Sequence, residues 1–409
     1  MRGEVAVGLE DPSKRALEGA ALRAHGARTE SMTQIATFPR RPPKRKPIRV
    51  AVLYNVDFED GPDGDPGYEA RADVAAVATA IVATLSDGDH EAHLVPVDGD
   101  MHVLRDRLSE LEPECAFNLC ESLAGDARLE TAVPLILELL GIPCTGSPPG
   151  ALSRALYKDQ VKRRLEQAGV PTPRATVMTG RDAVCDLPFP LIVKPVREDG
   201  STGITSRSVV HDESSLRDRV AEVVATFHQP CLVEQFIEGR ELNVALFGFP
   251  TARVLPLQEI DFSLLPAHEP KIVSYAAKWE EGSVADRGTR PVLHPQLPVA
   301  IAARVRRIAV EAFRALGMRD YGRVDVRLNS AGIPFVVDVN PNCDLSRHAG
   351  MARAAAAVGI DYASLARLLV RYALRRRRAA ATAVPLARRT AMRGKEVGLT
   401  GSSRVAPPL

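Results

Sequence analysis

The sequence predicts an α/β chain, α+β in parts, with three folded units between two basic tails. Three observations carry this expectation. Strand-like and helix-like patterns alternate from Ile48 to Leu140, as a parallel sheet with crossover helices requires. A middle stretch sets an apolar strand ending in Lys194 just before a Gly/Ser/Thr turn. Further on, Tyr321 to Arg327 and Phe335 to Asn340 alternate apolar and polar residues around a turn-forming Asn-Ser-Ala-Gly segment, the pattern of a hairpin.

The first unit spans residues 48–150. Ile48 to Tyr54 is a strand that follows a Pro/Lys/Arg linker. Asn55 to Gly67 is rich in Asp, Gly and Pro and reads as a loop. Tyr68 to Leu85 has a helical apolar pattern, His93 to Val97 and Cys115 to Leu119 are strands, and Thr131 to Leu140 is a helix. Pro134 to Leu140 is apolar but short, so it reads as a core helix.

The second unit spans 151–241. Its helix Tyr157 to Gly169 is closed by Gly169, Pro171 and Pro173. The strand Leu191 to Lys194, the turn Asp199 to Gly203, the strand Ser206 to Val210 and the strand Cys231 to Glu234 follow. The third unit spans 242–375. It starts with the strand Leu242 to Phe247 and carries the hairpin. A helix with Ile301, Val305, Ile308, Ala312 and Leu316 on one face stops at Gly317. The fold is expected to close near Tyr372.

Composition narrows the function classes. The chain has 409 residues, 45% hydrophobic and 25% charged, ordinary for a globular protein. No apolar run approaches the roughly 18 to 20 residues a bilayer span needs. There is no basic-then-apolar export signal, and the six cysteines have neither C-x-x-C nor zinc spacing. They read as reduced thiols, so a cytoplasmic location without membrane contact is expected. Residues 1–47 hold ten basic and five acidic residues, and residues 376–409 hold eight and one. Both read as disordered basic tails. With a net charge of +2 overall, the body between them carries about −10, which argues against specific nucleic-acid binding.

The hairpin carries the chemistry. With a side-chain period of two, Arg323, Asp325 and Arg327 share one strand face, and Asp338 and Asn340 share one face of the other. Pairing brings Asp325 near Asp338 and Asn340. Three oxygen-bearing side chains beside an arginine suit a hard cation that in turn holds phosphate. Lysine is scarce here and arginine outnumbers it several-fold. Three lysines therefore stand out: Lys158 in a helix first turn, Lys194 at a strand end, and Lys278 in a polar loop. A lysine is a compact charge suited to phosphate. Backbone amides of Gly200-Ser201-Thr202-Gly203 can cradle phosphate oxygens, although the turn is not a Walker A sequence.

In order, Phe117-Asn118-Leu119, Leu140 to Ser147, Leu191 to Pro195, Val233-Glu234 with Gly239 to Glu241, Gly322 to Val326, and Asp338-Val339-Asn340 resemble the ATP-grasp ligases. Within these, the closest likeness is to the D-alanine–D-alanine ligase group. The resemblance covers about Ile48 to Tyr372. It implies a three-domain ATP-grasp fold with an N-terminal Rossmann-like parallel-sheet domain. It also implies an enzyme that joins a small-molecule carboxylate to an amine through an acyl phosphate, with ATP and two Mg²⁺ ions (Mn²⁺ as a substitute), and often a homodimer.

By the same resemblance, Lys158 and Lys194 hold ATP phosphates, and Gly200, Ser201 and Thr202 belong to the flexible loop over them. Glu234 lies near the adenine amino group, and the backbone of Glu234, Gln235, Phe236 and Ile237 reads the adenine edge. Glu241 binds ribose and Lys278 meets the γ-phosphate. Asp325, Asp338 and Asn340 are the metal ligands, Arg323 steadies the acyl phosphate, and Glu69 meets the first substrate's ammonium. A ligase for another amino-acid, peptide or natural-product pair, or a non-catalytic ATP-binding regulator, are the alternatives.

The chain departs from the family pattern at three places. The Asn55 to Gly67 loop lacks the usual paired glycines. Trp279 replaces a tyrosine, and an indole donates but cannot accept. After Asn340, Asp344 takes the place of a glycine and Ala349 that of an acceptor-binding serine. This implies a changed acceptor that meets Asp344, a carboxylate that would repel an acceptor carboxylate unless a cation intervenes, with Arg347 or His348 as a replacement contact. Cys343 invites a nucleophile reading, but the chemistry of the family needs none.

Overall fold

A computed structural model describes residues 47–56, 74–88 and 90–383. Glu69 and the 57–73 segment lie outside the described residues. Three sheets organise the chain. The first is parallel, with β1 (Arg49–Asn55) between β2 (Glu91–Val97) and β3 (Cys115–Asn118). Two helices follow the pattern that parallel strands demand, α1 (Val74–Ser86) after β1 and α2 (Met101–Leu111) after β2. Asp100 caps α2 by accepting from the amides of His102 and Val103. Beyond β3, α3 (Ala132–Leu139) buries Val133, Pro134 and Leu137. Its other face is open, with Leu139 79% exposed, so it is a half-buried helix and not the core helix expected.

Helices α4 (Pro149–Leu156) and α5 (Lys158–Gln167) precede the second sheet. That sheet is antiparallel, ordered β4 (Ala175–Met178), β7 (Cys231–Gln235), β5 (Leu191–Pro195), β6 (Val209–Val210). Helix α6 (Glu213–Phe227) covers it with Leu216, Val220 and Val223. The strand expected over Ser206 to Val210 is mostly a 3-10 turn, because Ser208 closes a capping box with Thr205.

The third sheet is the largest. β8 (Arg240–Gly248) lies between β10 (Gln258–Asp261) and β12 (Asp320–Leu328), with β11 (Arg290–Leu293) and β13 (Pro334–Asn340) outside them and β9 (Arg253–Val254) on β8. After the short helices α7 (Tyr275–Trp279) and α8 (Val284–Gly288), helix α9 (Val299–Ala315) packs Val305, Ile308, Ala312 and Phe313 on it. Ala151, Val161 and Leu165 of α4 and α5 also enter this core. The two helices thus pack against the large sheet.

After α10 (Gly350–Ala356), helix α11 (Tyr362–Ala383) returns to pack on α1 and β3. It continues past Tyr372 and past the 375/376 boundary drawn from charge. The reason is local. Arg376 donates to the buried Asp320 carboxylate and to the Cys144 carbonyl, so its charge is paired inside the fold and not solvated in a tail.

Candidate active site

The strand pairing sets the site. In the β12–β13 ladder Asp325 lies opposite Asp338, and Arg323 opposite Asn340. On the other side of β12, Asp325 faces Asn243 and Arg327 faces Glu241 of β8. Alternation then puts these polar groups on one sheet face, while Val324, Val326 and Val339 go into the core. At Gly322 the strands pass closely: a Cβ would displace the terminal methyl of Met318 and stand 3.0 Å from the Asn340 carbonyl. The face opens into a cleft of about 870 Å³.

Asp325 accepts from Arg323 Nε at 2.8 Å and Nη2 at 2.9 Å, and from Asn243 Nδ2 at 2.9 Å. This leaves Arg323 Nη1 for other partners. Among the described residues, Asp338 has no ion pair or hydrogen bond to its carboxylate. Burial pushes its pKa up, but Lys158, Lys194, Arg323 and Lys278 together hold it below the ordinary range. The Asn340 side-chain oxygen accepts the Asn342 amide at 2.9 Å and keeps a second lone pair.

Two carboxylates and an amide oxygen are hard donors, and an ionised, unpaired carboxylate facing a second one fits magnesium. Among the described residues no three Asp, Glu, His or Cys side chains gather as a metal cluster; the donors here are two carboxylates and the Asn340 amide oxygen.

The lysines converge from three elements. Lys158 of α5 donates to the Glu198 carbonyl and lies 3.5 Å from Asp199. Lys194 at the end of β5 lies 2.5 Å from Glu234 Oε1 and 3.2 Å from the Val337 carbonyl. Lys278 belongs to a short helix, α7 (Tyr275–Trp279), and not to the expected loop, because the Ser274 hydroxyl caps it. Burial, then the nearby Arg323, push the Lys278 pKa down.

Glu234 is almost fully buried and forms an ion pair with Lys162 of α5 as well as with Lys194. Burial pushes its carboxyl up, and the two lysines more than offset this, so it lies below the usual range. Gln235, Phe236 and Ile237 continue along the cleft wall to Glu241. Arg327 organises that wall. It donates to Glu241 and the Ile237 carbonyl, both at 2.6 Å, and lies over the Phe236 ring.

The glycine-rich turn faces the sheet across the cleft. Gly200, Ser201 and Gly203 have φ of +63°, +66° and +76°. A Cβ on Gly203 would sit 2.7 Å from Pro195 and 2.9 Å from Phe227. Ser201 Oγ donates to the Val273 carbonyl at 2.8 Å, and Trp279 Nε1 donates to the Gly200 carbonyl at 2.9 Å. Trp279 therefore links the closing segment to the turn with its donor alone, a route the sequence reading did not foresee.

Of the other expected residues, Asp344 lines the cleft, and Arg347 does not. Its guanidinium bonds to Thr84 of α1 and stacks over Tyr362 of α11. The Cys343 thiol is buried and pushed up to about 12, which keeps it neutral and unreactive. Sequence reasoning missed Lys162, Asn243 and Arg353. Only Lys162 had a usable signal, a second lysine one helical turn after Lys158.

This arrangement, a two-sided cleft between an antiparallel middle sheet and a large sheet bearing paired carboxylates, defines an ATP-grasp architecture. Residues 169–371 match the family model "D-ala D-ala ligase C-terminus". The D-alanine–D-alanine ligase of Desulforudis audaxviator is 33% identical over 73% of this chain and 92% of its own length. An uncharacterised protein of Sinorhizobium fredii, y4sG, is 36% identical over 71% of this chain and 84% of its own. A crystal structure of the Bacillus anthracis D-alanine–D-alanine ligase complexed with ATP shares the fold, with a TM-score of 0.63 at 22% identity over 81% of this chain and 99% of its own. The chain belongs to the D-alanine–D-alanine ligase family.

Proposed function

We propose that this protein is an ATP-dependent ligase that activates a small-molecule carboxylate as an acyl phosphate and transfers it to an amine. The observation that carries this reading is the Asp325–Asp338 pair, with three lysines and Arg323 converging on it. A carboxylate attacking the γ-phosphate meets electrostatic repulsion. Lys158, Lys194 and Lys278 would offset it at the phosphates. Asp325, Asp338 and Asn340 would hold magnesium, which would supply further charge neutralisation for the phosphates. Arg323, fixed by Asp325, has Nη1 free for the oxyanion that forms when the amine attacks. The backbone from Glu234 to Ile237 offers an edge for adenine, and Glu241 a partner for ribose.

An acyl phosphate must be kept from water. The bond from Trp279 to Gly200 and the bond from Ser201 to Val273 fasten α7 over the turn, and this is the closure the reaction needs. A Trp279→Phe variant is expected to release several times more phosphate per ligation event than wild type. Comparing phosphate release with and without acceptor tests this. An unchanged ratio would remove Trp279 from the closure.

The family reading supports amino acids as substrates, and no described helix is long and apolar enough to cross a membrane. The direct test is ADP release across paired amino acids with magnesium. Release that needs two substrates together is expected, and ATP binding without ADP release for any pair would contradict the proposal.

A further inference from the structure

We infer that Glu130 takes the proton from the acceptor's ammonium, so that a neutral amine attacks the acyl phosphate. The inference rests on the ligase reading above and assigns the base which that reading needs.

An amine reaches the cleft as an ammonium ion, whose nitrogen has no lone pair for the acyl carbon. One N–H bond must break, leaving its electron pair on nitrogen, and a base must hold the proton. The nitrogen then bonds the acyl carbon, and phosphate leaves with the electron pair of the C–O bond. The second proton lost from nitrogen goes to that phosphate. Most carboxylates lining the cleft are poorly suited to be the base. Asp126, Asp199, Glu234, Glu241 and Asp325 are paired with lysines or arginines, and Asp338 sits among four cations. Asp344 is exposed, and Ser346 donates to both its oxygens.

Glu130 differs in each respect. It follows the 3-10 turn Ala127–Leu129, lines the cleft and is 9% exposed. Its Oε1 accepts from Asn342 Nδ2 at 3.0 Å. Asn342 is itself fixed. The Tyr321 hydroxyl donates to its Oδ1 at 2.8 Å, its Nδ2 also donates to the Cys120 carbonyl at 3.0 Å, and its backbone amide donates to Asn340 Oδ1 at 2.9 Å. The carboxylate is thus held by a neutral amide against the loop that follows β13. Among the described residues Oε2 has no partner. The charged groups around it supply no counter-ion. Asp199 and Glu121 face it, Arg128 is tied to Asp126, Arg154 of α4 donates to the Leu316 carbonyl, and Glu138 of α3 lies toward Arg319. Burial, then Asp199 and Glu121, push the carboxyl well above the ordinary range, and the Asn342 bond offsets only part of this. A carboxylate so placed is a stronger base, closer to what an ammonium requires.

The test sets hydroxylamine, a nucleophile already neutral at neutral pH, against an amino-acid acceptor. The donor is that of the amino-acid pair giving the fastest ADP release. Glu130→Gln keeps an oxygen for Asn342 and removes the base. Its kcat with the amino-acid acceptor should fall about 100- to 10,000-fold. Hydroxamate formation should stay close to wild type, and the KM values for ATP and donor should not change. At saturating amino-acid acceptor the wild-type rate should rise with pH through the folded pKa of Glu130, above the ordinary 4.5, and the variant should lack this rise. Glu130→Asp, which keeps a carboxylate, should recover part of the rate and the pH rise. It also gives the same comparison of acceptors if the glutamine variant does not fold.

Equal loss with both acceptors, or no loss with the amino acid, would overturn this inference while leaving the ligase reading intact. A raised donor KM at unchanged kcat would make Glu130 a donor-binding group and overturn it as well. A wild type that releases no ADP with any pair, hydroxylamine included, would overturn both.

Discussion

An Asp338→Asn variant is expected to release ADP at least about 100-fold more slowly than wild type. Loss of a mere outer-shell partner of a metal ligand already costs 10- to 100-fold, and a ligand should cost more. The same variant should bind metal-free ATP at least as tightly as wild type. The reason is the charge balance. Asp338 sits among Lys158, Lys194, Arg323 and Lys278, and its anion is the group those cations share with incoming phosphates. Replacing it by an amide removes repulsion toward metal-free phosphate and removes a hard donor for magnesium. Titrating ATP with and without magnesium separates the two effects. Weaker binding in both conditions would mean that Asp338 only supports the fold.

The second large effect concerns stability. Glu234→Gln is expected to destabilise the protein by about 3–5 kcal/mol in urea unfolding, because it leaves Lys162 and Lys194 buried without a counter-charge. The pH dependence has a defined sign. The folded pKa of Glu234 lies below its ordinary value of 4.5. Its contribution is therefore fully present above that value and is lost as pH falls through the folded pKa. The stability gap between wild type and variant should be constant from pH 7 to 5 and shrink below about 4.5. A gap that grows on acidification would contradict the ion-pair assignment. The variant should also bind ATP more weakly, since Glu234 holds Lys194 in position.

How far the sequence reveals this protein differs between its elements. The pairing of Asp325 with Asp338 follows from period-two alternation around one tight turn, and the structure has that register. Local patterns also set the helix carrying Lys158 and the strand ending in Lys194. What stayed hidden depends on contacts distant in sequence. Lys162 looks like a solvated helix residue until Glu234, 72 positions later, meets it inside the protein. Arg376 looks like part of a basic tail until Asp320 accepts it 56 positions away. Arg347 and Arg353 lie six residues apart around α10, and only the tertiary packing of Tyr362 on one and Gln258 on the other tells which faces the cleft. Trp279 shows a related limit. The side chain's inability to accept a hydrogen bond was legible, but not the carbonyl of Gly200 waiting for its donor.

The central claim is that ATP activates a carboxylate by phosphoryl transfer at the sheet face bearing Asp325 and Asp338. It is tested most directly by labelling the donor's carboxylate with ¹⁸O, using the substrate pair that gives the fastest ADP release. The account predicts one ¹⁸O atom in each inorganic phosphate formed during ligation. Unlabelled phosphate, or label carried into AMP, would contradict it.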